Sequence, residues 1–212
     1  MKVAVVGSGV MGLGITQAFA QSEGYEVNLC VVSGKGALLE KPLKRQVVKG
    51  KITQERMDEI MGKIIICDIN GCKEADLIVE SAIENLQAKE TLLKEIEEIA
   101  KPDALIASNT SSLSITEISS ELTRPIIGMH FFNPAAVMKL VEVIPGMTTT
   151  REMVEKVKKI SEDIGKVPVE VIEGPGFVVN RLLIPLINDA IQIFEEGLAS
   201  VEGIDTAMKL GA

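Results

Sequence analysis

The sequence predicts a doubly wound α/β fold: a mostly parallel sheet with helices on both faces, followed by the first helices of an α-helical C-terminal domain. Three observations carry this expectation. Short apolar runs bounded by turn residues recur through the first two thirds of the 212 residues, and such continuous apolar strands fit a sheet covered on both faces. Stretches with helical periodicity alternate with those runs, and strand–helix alternation points to parallel α/β architecture. After Pro145-Gly146 the pattern changes.

Taken in order, strands are expected at Val3–Val6, Glu26–Val32, Lys63–Cys67, Leu77–Val79, Ala104–Ala107 and Ile126–Met129. Helices are expected at Gly9–Gln21, Thr53–Gly62 and Leu86–Ala100, the last with Leu93, Ile96 and Ala100 on one stripe and acids elsewhere. Lys139–Ile144 reads as a short strand-like run, Arg151–Gly165 as an amphipathic helix and Val167–Ile172 as a strand. Glu173-Gly174-Pro175-Gly176 is a punctuating turn, so the boundary falls between residues 1–173 and 174–212. Beyond it, Phe177–Glu196 reads as a long helix apolar around most of its circumference, and Ser200–Leu210 as another capped by Ser200. A helix of that kind must be buried on most sides, so self-association through 177–212, or a continuation of the chain, is expected.

Composition removes several function classes. Thirty acids against 22 bases give a net charge of −8, which repels nucleic acid, and aromatics at 3% with no Trp leave no base-stacking platform. No apolar run approaches the ~18 residues that a membrane-spanning helix needs. Cys30, Cys67 and Cys72 are too few and too irregularly spaced for a disulfide framework or a zinc site, and read as reduced, mostly buried side chains. With a single histidine, no metal centre is expected. Met1-Lys2 leads straight into Val3–Val6 before Gly7, too short for a secretory apolar region, so a cytoplasmic protein is expected.

Gly7-Ser8-Gly9-Val10-Met11-Gly12 has the spacing G-x-G-x-x-G and lies between an expected strand and an expected helix. In that context it reads as a Rossmann-type dinucleotide loop. Gly7 permits the tight turn, Gly9 lets backbone approach a pyrophosphate, Gly12 allows close packing, and the helix N-terminus faces the phosphates. A ribose-gripping carboxylate belongs at the end of the second strand, but Val31-Val32-Ser33-Gly34-Lys35 stands there. Two readings remain: Ser33 and Lys35 receive the 2′-phosphate of NADP, or the loop is altered and binds NAD less well. From Lys35 to Lys51 there are six bases and one acid. On a helix, Lys41, Lys44, Arg45 and Lys49 fall near one face, either a site for a polyanionic ligand or a solvated surface.

His130 ends an expected strand, where doubly wound folds keep their ligands. Glu142 lies twelve residues on within an apolar run, where a charge needs a partner. If that run folds back beside His130, the carboxylate holds the imidazole in one tautomer for acid–base work.

Val5–Gly12, Ile83–Leu86, Ser108–Leu113, Met129–Pro134, Met138–Ile144 and Gly174–Arg181 together resemble the 3-hydroxyacyl-CoA dehydrogenases, over nearly the whole chain. The resemblance implies hydride transfer between NAD or NADP and C3 of a short-chain 3-hydroxyacyl-CoA such as 3-hydroxybutyryl-CoA. Carried over by position, His130 is the catalytic base and Glu142 its partner. Ser111, Asn133 and Asn180 position substrate, Lys49 contacts coenzyme A, and Glu84 and Lys89 join Gly7, Gly9, Val10, Met11 and Gly12 on the cofactor side. Ser111 is also readable as the cap of a helix near Leu113, and Asn180 as a backbone partner at the start of the long helix. The family's ribose-binding acid is replaced by Val31, Pro42 stands where a CoA-contacting serine is common, and the Val31–Lys49 segment is short. The resemblance also implies a homodimer formed through a helical domain that runs on past Ala212. The competing reading is a shortened, non-catalytic nucleotide-binding relative.

Overall fold

The computed structural model describes residues 1–31 and 39–212. Contacts divide the chain into two units, Met1–Glu173 and Gly174–Ala212.

The first unit is built on an eight-stranded sheet: β1 (Lys2–Val6), β2 (Glu26–Cys30), β3 (Ile64–Cys67), β4 (Leu77–Glu80), β5 (Leu105–Ser108), β6 (Ile127–Phe131), β7 (Leu140–Pro145) and β8 (Val167–Glu170). Across the sheet the order is β3-β2-β1-β4-β5-β6-β7-β8. Every pair is parallel except β6 with β7. Strand succession reverses between β1 and β4, so the crevice at their carboxyl ends is the switch point where such sheets bind ligands. Central β4 is buried along its whole length, which explains its unbroken apolar run. The edge strands β3 and β8 leave Ile65, Ile66, Val167 and Val169 exposed.

Helices α1 (Val10–Ala20), α2 (Glu40–Val48), α3 (Gln54–Gly62), α4 (Leu86–Ile99), α5 (Ile115–Ile118) and α6 (Arg151–Asp163) connect the strands. Thr53, Asn85 and Thr150 cap α3, α4 and α6 through their side chains, contacts typically worth about 1 kcal/mol each. Three expectations shift. β2 is described only to Cys30, and β8 ends at Glu170, before Ile172. The buried face of α4 carries Lys89, Leu92, Leu93 and Ile96, while Ala100 lies past the last turn in extended conformation. Ser114 and not Ser111 caps the short α5, because Thr110 Oγ1 accepts the Leu113 amide (3.0 Å) and keeps residues 110–113 in a turn.

The three cysteines, scattered in sequence, gather at the carboxyl ends of β2 and β3. Cys30 Sγ lies 3.9 Å from both Cys67 Sγ and Cys72 Sγ, and all three are free thiols. Burial pushes the Cys67 thiol up to about 12, and the contact with Cys72, reinforced by burial, raises that of Cys30. A side chain at Gly71 would collide with Cys67 Sγ, so glycine is required there.

The second unit holds α7 (Val179–Glu195) and α8 (Val201–Gly211), with Ser200 capping α8 as expected. Its opening turn needs positive φ at Gly176 (72°) and Phe177 (52°). No residue of either helix is buried, and Leu182, Ile184, Ile191 and Phe194 are among the exposed apolar side chains. Among the described residues no helix is long and apolar enough to cross a membrane.

Candidate active site

The glycine loop joins β1 to α1 as its spacing requires. Gly7 has φ 122°, and a Cβ there would collide with the Ser81 carbonyl; one at Gly12 would collide with the Gly7 carbonyl. Among the described residues nothing lies within 4 Å of Gly9's absent side chain, and Gly9 caps α1 without a side-chain hydrogen bond. The loop therefore offers open space beside an uncapped helix N-terminus, which fits the pyrophosphate of a dinucleotide. Gly7 N–H donates to the Cys30 carbonyl (2.9 Å), tying the loop to the end of β2. Val31 follows directly, half-buried. Ser33 and Lys35, expected at the ribose, lie outside the described residues.

His130 and Glu142 face each other in the antiparallel register of β6 and β7. Nδ1 of His130 is 2.7 Å from Glu142 Oε2, with both side chains buried. The strand folds back as the sequence suggested, and an Nδ1–H donated to the carboxylate leaves Nε2 the basic nitrogen. Phe132 packs against the imidazole, ring centroids 4.4 Å apart. Asn133 is exposed at the end of β6, before a cis bond to Pro134. The turn that follows is held by Lys166, whose buried ammonium donates to the carbonyls of Ala135 (2.6 Å) and Met138 (2.8 Å). A pocket of about 280 Å³ is lined by Val10, Leu13, Gln17, Lys41, Pro42 and Asn133 with their neighbours. It joins α1 to the first turn of α2, and Gln17 Nε2 is buried there with no hydrogen-bond partner among the described residues. Within the basic segment Glu40–Val48 is helical and Lys49 is its C-cap, and Lys41, Lys44, Arg45 and Lys49 are exposed; Lys44 pairs with Glu40 at 2.5 Å.

Lys89 is more enclosed than a simple cofactor contact would be, whereas Glu84 is exposed. Lys89 is 1% exposed, with its ammonium 2.7 Å from Glu80 and 3.3 Å from Glu84. Glu84 Oε1 accepts from the Thr110 hydroxyl (2.6 Å), the Ser111 amide (2.8 Å) and the Ser112 amide (3.1 Å). Burial pushes the Glu84 carboxyl up, but these donors and Lys89 outweigh it and hold it below the usual carboxylate range. Ser111, half-buried in this loop, is brought beside Glu84. Asn180 lies in the first turn of α7, in the second unit.

Sequence reasoning missed Glu80, Ser108 and Asn109. Glu80 ends an apolar strand, the signal that marked Glu142, and could have been found the same way. Asn109 Oδ1 accepts the Phe131 amide (2.9 Å), linking the β5 loop to the residue after His130.

The family model for the 3-hydroxyacyl-CoA dehydrogenase NAD-binding domain matches residues 2–174, and that for the family's C-terminal domain residues 176–212. The chain belongs to the 3-hydroxyacyl-CoA dehydrogenase family. It is 48% identical to a 3-hydroxybutyryl-CoA dehydrogenase of Clostridioides difficile, over all of this chain and 78% of that protein. A probable 3-hydroxybutyryl-CoA dehydrogenase of Bacillus subtilis is 43% identical over 99% of this chain and 76% of its own length. The solved structure of (S)-3-hydroxybutyryl-CoA dehydrogenase from Ralstonia eutropha superposes with a TM-score of 0.91 at 41% identity, covering 99% of this chain and 77% of that one. The mostly parallel sheet and the glycine loop lie within residues 2–174, the part that the family's NAD-binding-domain model matches.

Proposed function

We propose that the chain transfers a hydride between a nicotinamide dinucleotide and C3 of a short-chain 3-hydroxyacyl-CoA or 3-oxoacyl-CoA, such as 3-hydroxybutyryl-CoA, with His130 and Glu142 as its acid–base pair. The observation that carries this reading is the buried 2.7 Å His130–Glu142 contact between β6 and β7, with β6 running in the same direction as β1 so that its carboxyl end lies at the same end of the sheet as the glycine loop. The dinucleotide supplies the hydride acceptor when bound, so the protein's task is to bind, orient and move one proton. His130 takes the proton from the C3 hydroxyl, or returns it to the developing alkoxide in the reverse direction. Glu142 keeps the ring oriented and stabilises the imidazolium. Help of this kind is typically worth ~10²–10⁴ in rate.

In the same reading, Ser111, Asn133 and Asn180 position the acyl group, and Gly7, Gly9, Val10, Met11 and Gly12 bind the dinucleotide together with Glu84 and Lys89. Lys49 and its basic neighbours receive the phosphates of coenzyme A, and the pocket between α1 and α2 suits a thin, mostly apolar ligand arm. The apolar surfaces of α7 and α8 support a homodimer, and three clustered free thiols suit a reducing compartment such as the cytoplasm.

Following reduced-cofactor absorbance with acetoacetyl-CoA, NADH and NADPH in parallel tests the reading. Turnover is expected, with a weak or reversed preference for NADH over NADPH because Val31 replaces the ribose-binding acid; Val31→Asp is expected to shift that preference toward NADH. Cofactor binding without turnover of acetoacetyl-CoA would overturn the dehydrogenase reading in favour of a non-catalytic nucleotide-binding relative.

A further inference from the structure

Glu80 ends β4, is fully buried, and has no part in the proton transfer described above. An ionised carboxylate in such a place costs several kcal/mol unless its oxygens are met by donors. Both are met. Oε1 accepts from the Ala82 amide (2.7 Å) and the Lys89 ammonium (2.7 Å), and Oε2 from the Ser108 hydroxyl (2.5 Å).

From Glu80 two routes lead to the loop after β5. Lys89 passes to Glu84, and Glu84 gathers the Thr110 hydroxyl and the Ser111 and Ser112 amides on one oxygen. Ser108 Oγ accepts the Thr110 amide (3.2 Å). On the opposite side of the same loop, Asn109 holds the amide of Phe131, next to His130. The ends of β4, β5 and β6 are thus joined by one continuous polar belt, with Glu80 at its buried end.

We propose that Glu80 is a positioning residue: through Lys89–Glu84 and through Ser108 it fixes the 108–112 loop, and so the placement of Ser111 relative to His130. The role given to Ser111 rests on the dehydrogenase reading; the fixing of the loop rests on geometry alone. Misplacement of a substrate-orienting group by about 1 Å can cost ~10²-fold in rate.

Glu80→Gln keeps the side chain's shape and removes the charge that Lys89 faces. In the full chain, hydrogen exchange of a peptide covering residues 108–113 is expected to quicken at the Ser111 and Ser112 amides. kcat/KM for acetoacetyl-CoA is expected to fall about tenfold. Ser111→Ala is expected to cost less in the Glu80→Gln background than in the native chain, a coupling that a purely structural role would not produce. Unchanged exchange in 108–113, or equal cost of Ser111→Ala in both backgrounds, would overturn the proposal. Should Glu80→Gln fail to fold, Ser108→Ala tests the second route, with the same direction and a smaller size expected. If the native chain shows no turnover, the dehydrogenase reading fails by itself, and the exchange measurement still decides whether Glu80 holds the loop.

Discussion

Two buried carboxylates, Glu142 on β7 and Glu80 on β4, sit in apolar strands of the same sheet and are each paired to a basic side chain at 2.7 Å. Their partners differ in what they can do. Lys89 is enclosed between two carboxylates, so its contacts join loops together. His130 presents one ring nitrogen to Glu142 and has a second across the ring, so the contact prepares a group that can exchange a proton. Burial of an acid marks a position under constraint; the partner decides whether that constraint serves chemistry or placement.

The comparison is most exposed to His130→Gln. Turnover of acetoacetyl-CoA is expected to fall by about 10²–10⁴ while NADH binding, read by fluorescence titration, stays close to native. A loss below tenfold would put His130 on the positioning side with Lys89. Glu142→Gln is expected to fall next, by about 10²-fold in kcat, because the ring loses its fixed tautomer but keeps its proton-exchanging nitrogen. Equal losses for Glu142→Gln and Glu80→Gln would erase the distinction drawn between the two acids.

The smallest effect concerns acid. Glu84 titrates below its ordinary value, so its contribution to stability is complete above that ordinary value and is lost progressively as pH falls from it through the depressed one. The difference in Tm between the native chain and Glu84→Gln is therefore expected to hold constant from neutral pH down to about pH 5 and to shrink as pH falls through the ordinary carboxylate range and below it. A difference that shrinks between pH 7 and 5 would mean that the Thr110–Ser112 donors do not hold the ionised form.

Much of this site was legible because its signals are local. The glycine loop declares itself within six residues between a strand and a helix, and Glu142 stands out as an acid in an apolar run close to His130. Glu80 sends the same signal at the end of Leu77–Val79. Its partner was hidden by the reading of α4: a stripe through Leu93 and Ile96 also passes through Lys89 one turn earlier, and a lysine there reads as surface. The thiol cluster could not be read at all. It depends on the parallel register that sets Cys30 opposite Cys67 and on a short turn that returns Cys72, and neither leaves a mark in spacing.

The reversal of direction at β7 has a consequence for how the chain reaches its native state. The contact between His130 and Glu142 spans twelve residues inside one antiparallel pair, whereas the contact from Glu80 to Ser108 spans 28 and needs a parallel crossover with a helix. Loop-closure entropy grows only with the logarithm of length, so the shorter closure is favoured by about 0.7 kcal/mol. The topological gap matters more. The acid–base pair needs only a hairpin, while the loop that Glu80 holds requires β4, α4 and β5 to be assembled first.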